Sequence, residues 1–328
     1  MYENLCEPIP VEKNIRLYSG TSNPQLAEKI GDILHLPLSG LKIEKFANGE
    51  IYARFEETVR GCEVFFVQSL AGKNVNDLMM ETLIVADAAT RASAASFTAV
   101  IPHYGYARQD RKAASREPIT ARLVANLLEA AGVDRVITLD LHSNQIQGFF
   151  DIPVDNLFGA PLFVKHYADI FGKNNEDVVV VSPDVGSTAR ARSFAMKLGV
   201  NMAIVDKRRQ KANHSEVMNI IGSVEGKTCI MLDDMVDTAG SLCGAAKAIV
   251  EIGGAKEVYA CASHGVLSGP AIDRLNASCI KELLLLDTIP YPTGKPECGI
   301  IKYQSVAPLF AEAIRRIYEE ASISNLFD

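Results

Sequence analysis

The stretch Leu232-Asp233-Asp234-Met235-Val236-Asp237-Thr238-Ala239-Gly240-Ser241 places three acids within five residues and follows them with small and hydroxyl-bearing residues. It comes directly after the apolar run Cys229–Leu232 and directly before a helical pattern. In an open α/β sheet, ligands bind at the carboxyl ends of the strands. Carboxylates there suit a sugar diol or a hydrated divalent cation, and backbone N–H groups at a helix N-terminus suit an anion. A helix cap alone needs one or two acids, so this loop offers both carboxylates for a ribose and a cradle for its phosphate.

Two basic stretches could handle further phosphate. Lys207-Arg208-Arg209-Gln210-Lys211 carries four cations in five residues, and standing alone it reads equally well as a solvated turn. Arg108, in Tyr106-Ala107-Arg108-Gln109-Asp110-Arg111-Lys112, can pair with phosphate oxygens and stack on an aromatic face, which Lys does less well. His142 follows Asp140 at one expected strand end, and Asp184 follows the run Val178–Val181 at another. Gly222-Ser223-Val224-Glu225-Gly226-Lys227-Thr228 imitates a phosphate-binding loop. It has three residues between its glycines rather than four and it precedes a strand, so a turn is expected there. No G-x-G-x-x-G follows an expected strand.

The strands that must position these groups are legible as apolar, β-branched runs at Ile15–Tyr18, Val64–Gln68, Phe97–Ile101, Val136–Leu139, Val178–Val181, Met202–Val205, Thr228–Leu232, Val258–Ala262 and Leu283–Leu286. Helical patterns lie between them. One covers Ile119–Ala131, opened by Pro118 and stopped by Gly132; others cover Thr188–Leu198, stopped by Gly199, and Ala245–Ile252, stopped by Gly253-Gly254. Such alternation predicts an α/β fold with a mainly parallel sheet. A strand, a basic stretch and a strand ending in acid recur twice, at Asp140 and at Asp233-Asp234. This predicts two similar domains joined near Asp151–Pro161, where Pro153, Gly159 and Pro161 cluster.

The 328 residues, 48% hydrophobic and 22% charged, fit about two globular domains and exclude a disordered or collagen-like chain. No apolar run reaches the ~18 residues of a membrane span, and Met1–Asn14 carries Glu3, Glu7 and Glu12 without the apolar stretch of a signal peptide. A cytoplasmic protein is expected. The net charge of −7 argues against nucleic-acid binding. Seven cysteines without a C-x-x-C pair read as reduced, mostly buried thiols.

The acid-and-hydroxyl loop resembles the phosphoribosyl-pyrophosphate loop shared by type I phosphoribosyltransferases and ribose-phosphate pyrophosphokinases. The remainder of the chain resembles the latter family through Phe46-Ala47-Asn48-Gly49-Glu50, the stretch Tyr106–Lys112, Asp140-Leu141-His142, Gln145-Ile146-Gln147-Gly148-Phe149-Phe150-Asp151, Ser182-Pro183-Asp184 and Leu267-Ser268-Gly269-Pro270-Ala271. The resemblance implies two similar domains of type I phosphoribosyltransferase-like fold, each a mainly parallel sheet flanked by helices. The first would span residues 1–155, with the ATP segments, and the second 156–328, with the ribose 5-phosphate loop and a flexible catalytic loop. The C-terminal tail would pack back on the first.

The activity so implied moves the β,γ-diphosphoryl group of ATP to the anomeric hydroxyl of ribose 5-phosphate, with Mg²⁺. Lys207 and Arg209 would be catalytic. Arg209 would also contact ribose 5-phosphate, together with Asp233, Asp234, Asp237, Thr238, Ala239, Gly240 and Ser241. Arg108 and Gln109 would hold ATP with the loop of Phe46, Asn48, Gly49 and Glu50 from a neighbouring subunit, Phe46 stacking on adenine and Asn48 and Glu50 meeting the base edge. His142 and Asp184 would help hold Mg²⁺ on the ATP phosphates. A homohexamer built from dimers is implied, with phosphate and ADP as effectors and no nucleic-acid or membrane partner.

Three positions depart from the commoner pattern: Val185-Gly186-Ser187 after Asp184, Asn144 where a Pro often stands, and Ala114 where many members carry a basic residue near the effector site. Two other classes remain to be weighed. A phosphoribosyltransferase would share the loop but lack the segments Phe46–Glu50 and Arg108–Lys112. A non-enzymatic relative would depart from the family in the catalytic region, whereas Lys207, Arg209 and Asp233–Ser241 are complete here.

Overall fold

Val178–Val181, apolar at every position, forms a strand buried along its whole length, as a parallel strand covered on both faces must be. The computed structural model describes residues 14–208 and 217–326. In chain order the elements are β1 (Ile15–Ser19), α1 (Pro24–Leu34), β2 (Leu41–Lys45), β3 (Ile51–Phe55), β4 (Glu63–Val67), α2 (Val75–Arg91), β5 (Ser96–Ile101), α3 (Thr120–Ala130), β6 (Arg135–Leu139), β7 (Val154–Leu157), α4 (Ala160–Phe171), β8 (Val178–Ser182), α5 (Thr188–Leu198), β9 (Asn201–Arg208), β10 (Val217–Ile221), β11 (Thr228–Val236), α6 (Gly240–Glu251), β12 (Glu257–Gly265), α7 (Ala271–Asn276), β13 (Ile280–Leu286), β14 (Ile301–Gln304) and α8 (Ala307–Tyr318).

The chain divides into two compact units. One holds the described residues up to Phe158 with Thr288–Pro290 and those from Ser305 onward; the other holds Gly159–Asp287 and Tyr291–Gln304. The first contains a parallel sheet in the order β1-β4-β5-β6-β7 and a separate β2–β3 hairpin. Tyr18, Val64, Phe66, Phe97 and Ala99 turn one face of that sheet toward Leu78 and Val85 of α2 and Val124 and Leu128 of α3. Each large side chain buried in this way contributes about 1.5–3 kcal/mol. Helix α8 packs against α1 in the same unit.

The second unit holds one sheet in the order β10-β9-β8-β11-β12-β13-β14. All its pairings are parallel except β9–β10. From β8 the chain moves to β9 on one side, and β11 then joins β8 on the other. The order therefore reverses between β8 and β11, which makes the carboxyl ends of these two strands a topological switch point.

Every apolar run named above falls on a strand, the one overshoot being Gln68, one residue past the end of β4, and α5 begins and ends where its periodicity predicts. Helix α6 begins five residues before the expected Ala245, because Gly240, Ser241, Cys243 and Gly244 hide its apolar period. The short or edge strands β2, β3, β7, β10 and β14 were not expected.

Two buried carboxylates are each held by two basic side chains, one within α8 and the other linking β13 to α4 and β14. Glu312 of α8, 1% exposed, accepts Arg315 Nη2 at 2.7 Å and Arg316 Nε at 2.6 Å on Oε1, and Arg315 Nε at 3.0 Å on Oε2. Glu282 of β13 is held by His166 Nε2 and Lys302 Nζ, both at 2.8 Å. Burial pushes both carboxyls up, but their cationic partners outweigh it and hold them below the usual carboxylate range. A carboxylate with a lowered folded pKa stabilises the fold above its unfolded value of about 4.3, and that contribution disappears as pH falls through the folded value. Glu312→Gln should therefore cost about 3 kcal/mol at neutral pH. The difference should be constant near neutral pH and begin to shrink only below about pH 4, as the wild-type carboxylate takes up its proton, which denaturation curves across pH will check.

Candidate active site

In the first unit, Phe46–Glu50 is the tip of the β2–β3 hairpin, beyond the pair Lys45–Ile51. Phe46 N–H donates to the Glu50 carbonyl and Gly49 N–H to the Phe46 carbonyl, each at 2.8 Å, and Glu50 N–H donates to Asn48 Oδ1 at 3.2 Å. Gly49 has φ 91°, a left-handed backbone that this turn obtains from glycine without strain. The Phe46 ring is 53% exposed and tilts against Tyr52 with centroids 5.8 Å apart, so the tip offers an aromatic platform to solvent. The hairpin itself had a sequence signal. Asn48-Gly49 lies between the alternating segments Leu41–Lys45 and Ile51–Phe55.

Arg108 and Gln109 are exposed on the turn that follows β5. Gln109 is fixed to the start of α3: its Oε1 accepts the Thr120 hydroxyl at 2.5 Å and its carbonyl accepts Ala121 N–H at 3.2 Å. His142 is exposed just past β6, where the chain turns through Asp140 in a left-handed conformation, φ 43°. Leu141 N–H donates to Asn156 Oδ1 at 3.1 Å and fixes that turn. Asn156 Nδ2 in turn donates to Asn144 Oδ1 at 3.3 Å, which gives Asn144 a role a proline could not fill.

In the second unit the acid pair lies inside β11 rather than beyond it, because this strand runs four residues past the expected Leu232. Its pairing with β8 stops at Met231–Val181, while its pairing with β12 continues to Val236–Gly265. Asp233 and Asp234 thus ride on an overhang at the switch point. Ser187, just before α5, donates its hydroxyl to Asp233 Oδ1 at 3.2 Å and its N–H to Asp184 Oδ1 at 2.8 Å. Arg190 Nη1 lies 3.4 Å from Asp234 Oδ1, and that carboxylate is buried. Ser187 and Arg190 therefore join Asp184 to the acid pair; in the sequence Ser187 stands out only as part of a departure from the commoner pattern, and Arg190 belongs to no motif. Burial, then the neighbouring Asp234 and Asp184 carboxylates, push Asp233 up to about 7.

Beyond the overhang, Ala239 adopts φ 57° and α6 begins at Gly240. The loop Asp237–Ser241 thus leads straight into the first helical turn, whose N–H groups have no intrahelical acceptors and which favours negative charge. Lys207 is in β9, opposite Met218 of β10, and not in the loop expected after Val205, because β10 turns back and extends the ribbon. Arg209 lies outside the described residues.

The donor set fits a hard divalent cation. Asp184, the expected metal ligand beside the acid pair, offers oxygen only, and burial together with the neighbouring carboxylates already penalises ionisation of Asp233. Among the described residues no cluster of three or more His, Cys, Asp or Glu forms a complete metal cage. One or two carboxylates, with waters and substrate phosphates completing the shell, is the usual way of holding Mg²⁺.

Two sheets flanked by helices, with an acid-bearing strand, a small-residue loop and a helix at a switch point, define the type I phosphoribosyltransferase-like class. Residues 15–132 match the model of the N-terminal domain of ribose phosphate pyrophosphokinase, and 208–328 match that of the phosphoribosyl synthetase-associated domain. The chain is 53% identical over 316 residues to ribose-phosphate pyrophosphokinase of Bacillus subtilis (strain 168), covering 96% of this chain and 98% of that protein. It is 56% identical to that of Clostridium tetani, with the same coverage. The crystal structure of phosphoribosylpyrophosphate synthetase from Mycobacterium smegmatis superposes with a TM-score of 0.88 at 42% identity, covering 94% of this chain and all of that one. The chain belongs to the ribose-phosphate pyrophosphokinase family.

The raised pKa of Asp233 has a consequence for stability. A carboxyl whose folded value lies above its unfolded one favours the fold when protonated and loses that advantage as pH rises from about 4 to about 7. Asp233→Asn should therefore raise the melting temperature of the ligand-free protein by a few degrees at pH 8. The gain should shrink through pH 7 and vanish near pH 4; scanning calorimetry showing a pH-independent gain would contradict an electrostatic origin.

Proposed function

We propose that the chain transfers the β,γ-diphosphoryl group of ATP to the anomeric hydroxyl of ribose 5-phosphate, giving 5-phosphoribosyl 1-pyrophosphate and AMP, in the cytoplasm and for nucleotide biosynthesis. What carries this reading is identity of 53% across 96% of the chain to a ribose-phosphate pyrophosphokinase. The carboxylate pair and helix N-terminus at the switch point of the second unit support it independently. The anomeric oxygen bonds to the β-phosphorus, the bond from that phosphorus to the AMP oxygen breaks, and the hydroxyl proton is released.

Asp233 and Asp234 accept hydrogen bonds from the ribose hydroxyls, and Asp237, Thr238, Ala239, Gly240 and Ser241 surround the 5-phosphate. Lys207 and Arg209 neutralise charge that develops on the transferring oxygens, and Arg209 also touches the sugar phosphate. Such stabilisation is commonly the largest single contribution to phosphoryl transfer. Arg108 and Gln109 bind ATP. His142 and Asp184 are the proposed Mg²⁺ ligands, and the ion when bound offsets negative charge on the ATP phosphates. Phosphate and ADP are the proposed effectors, near a turn braced by Ala113 and Ala114 N–H groups donating to Glu117 Oε2 at 2.9 and 2.8 Å.

Phe46, Asn48, Gly49 and Glu50 serve the ATP of a neighbouring subunit in a homohexamer built from dimers. The exposed Phe46 ring supports this, as does the exposed stripe of Ile119, just before α3, with Leu123 and Leu127 of that helix at four-residue spacing.

Incubation with ATP, Mg²⁺ and ribose 5-phosphate should yield AMP; formation of ADP instead would mean transfer of a single phosphoryl group and would sink the reading.

The shared site is tested by mixing two inactive variants, Phe46→Ala and Lys207→Ala. In a mixed dimer one site collects both lesions and the other neither. Random reassembly of equal amounts makes about half the dimers mixed, so activity should recover to about a quarter of wild type. With subunit exchange confirmed by mass, no recovery at any ratio would place Phe46 in its own chain's site.

A further inference from the structure

Arg274 lies on α7, outside every motif singled out in the sequence. Its Nη1 donates to the Thr238 carbonyl at 2.9 Å and lies 3.1 Å from where a Cβ on Gly240 would stand. The same region backs the loop through its main chain: Leu267 N–H donates to the Val236 carbonyl at 3.0 Å and Ser268 N–H to the Asp237 carbonyl at 2.9 Å. Lys295 Nζ holds the Gly269 carbonyl at 2.6 Å from behind.

A trans peptide is planar, so its carbonyl and the following N–H point in opposite directions. With the Thr238 carbonyl drawn back onto Arg274, the Ala239 N–H must face away from α7. Ala239 adopts a left-handed conformation, φ 57°, which costs a residue with a Cβ about 1–2 kcal/mol. Reversing the Thr238–Ala239 peptide would relieve that strain and turn the N–H around. We infer that Arg274 is a positioning residue for the sugar-phosphate cradle: it locks this peptide with its N–H toward the bound phosphate and sets a positive charge behind it. The inference rests on the proposed reading of Asp237–Ser241 as that cradle. Gly240 suits the same arrangement, because a side chain there would press on the guanidinium and shift it by a few tenths of an ångström.

The test uses the full-length protein and calorimetric titration with ribose 5-phosphate, with a non-hydrolysable ATP analogue as control. Arg274→Met keeps the apolar stem and removes donor and charge, while Arg274→Lys keeps the charge without the reach of the planar fork. Arg274→Met should weaken ribose 5-phosphate about five- to tenfold, as for one lost hydrogen bond from a charged group at an exposed site. Arg274→Lys should lose less. KM for ribose 5-phosphate should rise while kcat at saturation stays within about twofold, ATP-analogue affinity should not change, and amide exchange at Ala239 should accelerate. Unchanged ribose 5-phosphate affinity in Arg274→Met overturns the inference, as does an equal loss for the ATP analogue. Should Arg274→Met not fold, Arg274→Lys with wild-type affinity and wild-type exchange at Ala239 overturns it. If the wild type itself takes up no ribose 5-phosphate, the assignment of the loop fails first; if it does and Arg274→Met matches it, only the role of Arg274 fails.

Discussion

Two adjacent carboxylates on a strand that outruns its neighbour are the constraint from which the second unit follows. Neither Asp233 nor Asp234 is freely solvated, and burial together with the nearby acids pushes Asp233 to about 7. Such a pair persists only where the surrounding structure holds it. The β11 overhang is carried by β12, which has to be as long, and the pairing continues to Val236–Gly265. The start of α5 supplies the Ser187 hydroxyl and the Arg190 guanidinium. Beneath these polar contacts, Val179, Val181, Cys229, Met231, Ala260 and Leu283 form a closed apolar core. Its burial offsets the electrostatic penalty, which is how folds commonly sustain a destabilised site.

The two units solve different problems with related parts. In the first, strand order follows chain order and no reversal opens a crevice. The carboxyl ends of β1 and β4 are closed by a polar network of the unit's own. Glu81, 4% exposed, accepts Thr21 N–H at 2.8 Å, the Thr21 hydroxyl at 2.7 Å and Gln68 Nε2 at 2.6 Å. With that carboxylate fully engaged, the groups this unit has to offer a ligand are displaced outward, to the hairpin tip and to the turn after β5. In the second unit the switch point is left open, and its polar groups are those of the acid pair and the small-residue loop.

Much of this was readable in the sequence because both sheets are covered on two faces, so their central strands are unbroken apolar runs such as Val178–Val181. The edges were not readable. β14 has no buried residue and no alternation, only two exposed residues between two half-buried ones, and β10 is recognisable only once β9 is known to continue through Lys207. The sugar-phosphate loop announces itself by composition, but its supports do not: Ser187 and Arg274 act through partners some 40 residues away in the chain. Arg190 did leave a trace. A cation in the first turn of a helix opposes the helix dipole, and a local rule broken without compensation points to a partner elsewhere, here Asp234.

The same sheet geometry separates groups needed before the reaction from groups needed during it. β9 pairs with β8 only from Asn201 to Ile204, and from Val205 onward its partner is β10 alone. Lys207 therefore stands on a two-stranded ribbon, an arrangement marginal in isolation, whereas Asp233 and Asp234 stand on a strand anchored in the middle of seven. On the proposed roles this division is physically sensible. Carboxylates that orient a sugar act in the ground state and gain from rigidity. A cation that meets charge only as a bond breaks gains nothing by binding substrate equally well beforehand, and an element of low local stability can bring it in at that stage and withdraw it for product release.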